Sequence, residues 1–92
     1  MVDKYQTEKY REAGRACERV NDNLGARTNY QRAILEDPED YNAIANLAWV
    51  EHKEGNTELA KGLIKKVCDA KPDKPRFKDL MFKINQGITR LD

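Results

Sequence analysis

Ala26-Arg27-Thr28-Asn29-Tyr30-Gln31-Arg32-Ala33-Ile34-Leu35-Glu36-Asp37-Pro38 and Ala60-Lys61-Gly62-Leu63-Ile64-Lys65-Lys66-Val67-Cys68-Asp69-Ala70-Lys71-Pro72 are one pattern written twice. Ala26 coincides with Ala60, Tyr30 with Ile64, Ala33 with Val67 and Ile34 with Cys68, and a proline closes each stretch at an interval of 34 residues. The register extends upstream, where Tyr10 matches Ile44 and Gly14 matches Ala48. A fixed period of this length marks stacked supersecondary units, each unable to bury its apolar face alone.

Each unit reads as a helical hairpin. From about Lys4 to Val20, the residues Tyr10, Ala13, Gly14 and Cys17 form one stripe at i, i+3, i+4 and i+7. Asn21-Asp22-Asn23 breaks that helix, because short polar side chains compete for backbone N–H groups, and predicts a second helix from near Leu24 carrying Ala26, Tyr30, Ala33 and Ile34 inward. Asp37-Pro38 ends it. The second hairpin repeats the design, with Ile44, Leu47, Ala48 and Glu51 on its first helix, Gly55-Asn56-Thr57 as turn and cap, and Ala60, Leu63, Ile64 and Val67 on its second. After Pro72, Asp73-Lys74-Pro75 offers a cap and a first-turn proline, and Phe77, Leu80, Met81, Ile84, Ile88 and Leu91 continue at helical spacing. That fifth helix, expected over about 75–91, covers the apolar end of the stack. The expected fold is therefore all-α, one domain over 1–92, with repeats at 7–40 and 41–74 and a closing helix.

Composition narrows the function classes. Hydrophobic residues at 39% and charged residues at 36% describe a globular chain, and no apolar run reaches the ~18 residues of a membrane span. Met1 to Gln6, with Asp3, Lys4 and Gln6 among its residues, lacks the apolar stretch of a secretory signal, so the expected location is the cytoplasm. Seventeen basic and sixteen acidic residues leave a net charge of +1, without the strong field of a general nucleic-acid binder. Cys17 and Cys68 with the single His52 do not complete a zinc site, and both thiols sit on apolar helical patterns where a free cysteine behaves as a small hydrophobe. Neither a glycine-rich phosphate loop, nor a serine elbow, nor a Cys–His spacing is present, so no enzyme activity, metal or cofactor is expected.

With proline placed at position 32 of each unit, the chain resembles the tetratricopeptide repeat family. The eight preferred positions of that family, Trp, Leu, Gly, Tyr, Ala, Phe, Ala and Pro, fall on Tyr10, Ala13, Gly14, Cys17, Ala26, Tyr30, Ala33 and Pro38 in the first unit. In the second they fall on Ile44, Leu47, Ala48, Glu51, Ala60, Ile64, Val67 and Pro72. Cys17 and Glu51 stand where an aromatic is usual, and Ala13 where leucine is usual. The resemblance implies a right-handed superhelix of five helices whose concave groove is lined by the first helix of each repeat and holds a peptide or helix of a partner protein.

Carried onto this chain, the groove positions are Glu8, Arg11, Arg15, Glu18 and Arg19, then Asn42, Ala45, Asn46, Trp49, His52 and Lys53, then Arg76, Asp79, Leu80 and Lys83. Six are basic and three acidic, which predicts a basic groove that steers an acidic ligand. Chaperone-binding members clamp an acidic C-terminal tail through five positions. Arg11, Asn46 and Arg76 keep the required kind, whereas Arg15 replaces an asparagine and Leu80 a basic residue. Arginine grips a carboxylate through paired hydrogen bonds, which suits a more acidic or differently spaced peptide. The expected peptide-binding set is Arg11, Arg15, Asn42, Asn46, Trp49, Lys53, Arg76 and Lys83.

The other readings of these residues are structural. Trp49 either anchors an apolar peptide side chain or packs between repeats, Glu51 either tilts to solvent or pairs with a base, and His52 reads as a lone exposed histidine. The Arg11, Arg15, Arg19 series reads equally as a solvated face paired with Glu8, Glu12 and Glu18. Alternatives to the adaptor are a self-assembling scaffold that covers Phe77, Phe82 or Ile88, a module of a longer repeat array, and, behind these, a single-strand nucleic-acid binder using the arginines with Trp49.

Overall fold

A computed structural model describes residues 2–90. Five helices follow one another: α1 (Lys4–Arg19), α2 (Asn23–Glu36), α3 (Tyr41–Lys53), α4 (Thr57–Ala70) and α5 (Pro75–Asn85). α1 pairs with α2 and α3 with α4 as tight hairpins, while α2 also packs on α3 and α4 on α5.

Starts and stops follow the local chemistry. Asp3, Asp22 and Asp40 cap α1, α2 and α3 by accepting from the backbone N–H groups of Gln6 (3.1 Å), Gly25 (2.9 Å) and Ala43 (3.2 Å). The three odd-numbered helices share one ending. Asn21, Gly55 and Gly87 lie at φ 60°, 89° and 74°, and in each case the next residue's N–H reaches back five positions, to the carbonyls of Cys17, Glu51 and Lys83. This closure satisfies the last carbonyls of a helix and requires a left-handed residue, which glycine supplies without strain and asparagine at modest cost. The even-numbered helices run instead into Asp37 and Lys71, each followed by proline.

α3 is the centre of the molecule. Ten consecutive residues, Ala43 to His52, are buried, because α2, α4 and α5 pack around it. One core cluster joins Ile44, Trp49, Ile64, Val67, Phe77, Leu80 and Ile84; a smaller one joins Ala26, Tyr30, Leu47 and Val50. Ile34 and Leu63 touch both. Gly14 lets α1 lie close on α2: a Cβ there would stand 2.5 Å from the Tyr30 ring.

Several expectations are corrected. α5 stops at Asn85 rather than near 91, because Gly87 turns the chain out of the helix, so Ile88 lies beyond it; Leu91 falls outside the described residues. Within Asp73-Lys74-Pro75 the N-cap of α5 is Lys74, and it makes no side-chain cap hydrogen bond. α2 begins at Asn23, one residue earlier than the pattern suggested. Phe77 is buried, whereas Phe82 and Ile88 are exposed. No helix among the described residues is long and apolar enough to cross a membrane.

Candidate functional site

α1, α3 and α5 line a concave face. A cavity of about 670 Å³ on it is bordered by Arg11, Arg15 and Arg19 of α1, Asn42 and Asn46 of α3, and Arg76 of α5, together with Glu12 and Glu18. Five of the eight expected binding residues, Arg11, Arg15, Asn42, Asn46 and Arg76, thus surround one space. Trp49 and Lys83 border an adjoining cavity of about 230 Å³ with Glu18, Asn46, Asp79 and Leu80.

The charges in this groove are unequally neutralised. Arg11 donates through Nη1 to both carboxylate oxygens of Asp40 at 2.7 and 2.6 Å, tying α1 to the cap of α3. Arg15, largely exposed, pairs with Glu12 at 3.2 Å. Lys53 turns to Glu18 at 3.0 Å as a strut between α3 and α1, and Lys83 meets Asp79 at 2.8 Å. Of the arginine series, only Arg15 takes a partner expected from its own helix; Glu18 is instead held by Lys53 and by the Tyr30 hydroxyl. Burial first, then the hydrogen bond to Glu18, raises the Tyr30 phenol well above its ordinary value and keeps it a donor.

Arg76 differs from all of these. It donates to the amide oxygens of Asn42, at 3.2 Å, and of Asn46, and no carboxylate of the described residues lies within ion-pair distance of it. Burial first, then Arg15, lowers the guanidinium's pKa, with Tyr30 and Glu18 opposing and Arg11 adding a smaller push down; an arginine side chain stays charged in proteins. Two amides therefore orient a cation whose charge they do not cancel. Each amide retains an NH₂ group that can donate to a ligand.

Trp49, His52 and Glu51 are all buried. Trp49 is 4% exposed and packs in the main core, so it contributes an edge to the groove rather than an open platform. His52, expected to be exposed, is 5% exposed; its Nε2 lies 2.9 Å from the Ile88 carbonyl and its Nδ1 3.3 Å from the Thr57 hydroxyl. A carbonyl only accepts, so Nε2 carries the proton in the contact with Ile88. Glu51 is buried and paired: Arg27 donates to it at 2.7 and 3.1 Å and Asn56 at 3.0 Å. Burial alone would raise its pKa, but these hydrogen bonds and the Arg27 charge outweigh burial and hold it below the ordinary value.

The sequence pattern did not single out Asp40 or Tyr30 as partners of the charged groups on this face, nor Arg27 as the partner of Glu51. Asp40 was legible as a helix cap from its place before the apolar run of α3, but its second partner, Arg11, lies 29 residues away and has no local signature. Neither thiol is poised for chemistry. Burial raises the Cys68 pKa and its Sγ donates to the Phe77 carbonyl, while Cys17 accepts from Asn29. The described residues contain no cluster of three or more His, Cys, Asp or Glu able to hold a metal.

The family model for the tetratricopeptide repeat matches residues 19–84, from the end of α1 through α5. The chain belongs to the tetratricopeptide repeat family. Its five helices pack as the sequential hairpins of two repeats followed by a closing helix. Tetratricopeptide repeat modules mediate protein–protein interactions and are typically non-catalytic. Comparison with curated proteins, and with solved structures, finds no match. Arg11 and Arg15 lie before the matched residues, so their place in the groove rests on the packing of α1 alone.

Proposed function

We propose that this protein is an adaptor that holds an acidic, C-terminal peptide of a partner across α1, α3 and α5, with repeats at 7–40 and 41–74. The observation that carries the reading is Arg76, oriented by Asn42 and Asn46 and left without a carboxylate partner beside Arg15. A carboxylate entering there gains charge-assisted hydrogen bonds and relieves repulsion among Arg76, Arg15 and Arg11. Arg11, already bound to Asp40, frames the site, and the amide NH₂ groups of Asn42 and Asn46 hold the peptide backbone. Lys53 and Lys83 border the same face through their pairs with Glu18 and Asp79, and an edge of Trp49 meets an apolar side chain. Two free thiols suit a reducing, cytoplasmic setting.

Calorimetric titration with short acidic peptides, each with a free C-terminal carboxylate and an amidated twin, tests this at two salt concentrations. The free-acid form is expected to bind at least about tenfold more tightly, with Arg76→Ala erasing that preference. Equal affinity of the two forms, or binding unaltered in Arg76→Ala, overturns the reading; tight binding of single-stranded oligonucleotides with a steep salt slope replaces it with phosphate recognition.

A further inference from the structure

On the side away from the concave face, α2 and α4 both pack on α3 but scarcely on each other. A trough opens between them. Ile44 and Leu47 form its floor, Ile34, Leu35 and Leu63 its walls, and the cavity measures about 340 Å³. Leu35 is 82% exposed, and Leu24 and Leu59 extend the exposed apolar surface along the same two helices. Leu24 and Leu35 are eleven residues apart on α2, which is three turns and about 16 Å. The trough lies between neighbouring helices inside the stack, so another repeat added at either end of the stack would leave it open.

Its polar rim points to the occupant. α4 carries three lysines: Lys61 pairs with Glu58 and Lys65 with Asp69, at 3.7 and 2.9 Å. Lys66, the one charged side chain on the trough, has no ion-pair partner among the described residues. A second copy of the chain would bring Glu58 and Asp69 on its own α4 already paired, and so no spare carboxylate from that helix. We propose that the trough between α2 and α4 binds an amphipathic helix of a partner protein, whose leucine-like side chains at i, i+4 and i+7 enter between Leu35 and Leu63 and whose adjacent carboxylate meets Lys66. The surface is separate from the Arg76 groove and does not depend on that reading. Through both faces the protein would join an acidic tail to a helix.

The test is an NMR titration of the isotope-labelled protein with a synthetic helical peptide, acetylated and amidated, bearing leucines at i, i+4 and i+7 flanked by glutamates. A twin carries lysines in place of the glutamates. Blocked ends remove the terminal carboxylate on which the concave site depends. Saturable shifts are expected at Leu35, Leu63 and Lys66, with the glutamate peptide roughly three- to tenfold tighter than its twin. Lys66→Glu should invert that preference, and Leu35→Lys, at a position exposed enough to leave folding intact by circular dichroism, should weaken binding about tenfold. Absent saturation, shifts confined to Arg15 and Arg76, or a preference that Lys66→Glu does not invert each overturn the proposal. Light scattering that shows a dimer dissolved by Leu35→Lys overturns it in favour of a second copy.

Discussion

Glu51 stands where the family prefers a buried aromatic, and the structure explains how a carboxylate is accommodated there. Arg27 from α2 and Asn56 from the following turn both donate to it, so the charge enters the interior already paired. Asn56 is also the N-cap of α4, where its side chain makes no cap hydrogen bond. Because the pKa of Glu51 is lower in the folded chain than its ordinary 4.5, the carboxylate stabilises the fold above that pH and ceases to do so as pH falls through the folded value. Glu51→Gln is expected to cost about 1–3 kcal/mol at neutral pH and to flatten the acid limb of a stability–pH curve measured by urea denaturation. A variant whose acid limb matches the parent would show that the pair contributes nothing to acid sensitivity. Residue-scale features of this kind were the least legible in the sequence. Arg27 and Glu51, Arg11 and Asp40, and His52 and Ile88 are partners 24, 29 and 36 positions apart, and nothing local distinguishes a paired charge from a solvated one. Trp49 and His52 left one usable sign: Ala43-Ile44-Ala45-Asn46-Leu47-Ala48-Trp49-Val50 is apolar on every side but Asn46, which is the composition of a helix buried all round.

At the scale of elements, the helices were legible because a 34-residue period constrains every boundary twice. α5 lacks a second copy to check it, and there the expected boundary was about six residues too long. The missed sign was Gly87, which plays for α5 the part that Asn21 plays for α1 and Gly55 for α3. α5 thus ends as the other two concave helices end, while it closes the stack against α4. Two glycine substitutions of opposite sign test the account. Gly87→Ala places a Cβ on a backbone at φ 74° and is expected to cost about 1 kcal/mol. Gly62→Ala, in the body of α4 with nothing within 4 Å of the new Cβ, is expected to gain about 0.5–1 kcal/mol from helix propensity. Thermal melts of the two variants should move in opposite directions; shifts of the same sign would mean that the Gly87 closure is not what ends α5.

For the whole molecule, stability should be graded along the stack, because each helix gains from its neighbours alone. α3 is enclosed by three helices, whereas α1 has one helical neighbour in close packing, buries only Thr7 and Gly14, and is tied to α3 through Arg11–Asp40 and Lys53–Glu18. The proposed concave site needs α1, since Arg15 and Arg11 border the same cavity as Arg76. On that proposal, ligand binding and the docking of α1 are linked. Hydrogen exchange is expected to be slowest in Ala43 to His52 and fastest in α1, with Arg11→Ala accelerating α1 while leaving α3 unchanged. A saturating acidic peptide that bridges α1 to α5 should slow α1 by about tenfold or more, in proportion to the excess of ligand over its Kd. Protection that instead rises evenly over all five helices would mean that the chain opens as one cooperative unit, and that the groove arginines are fixed in place before any ligand arrives.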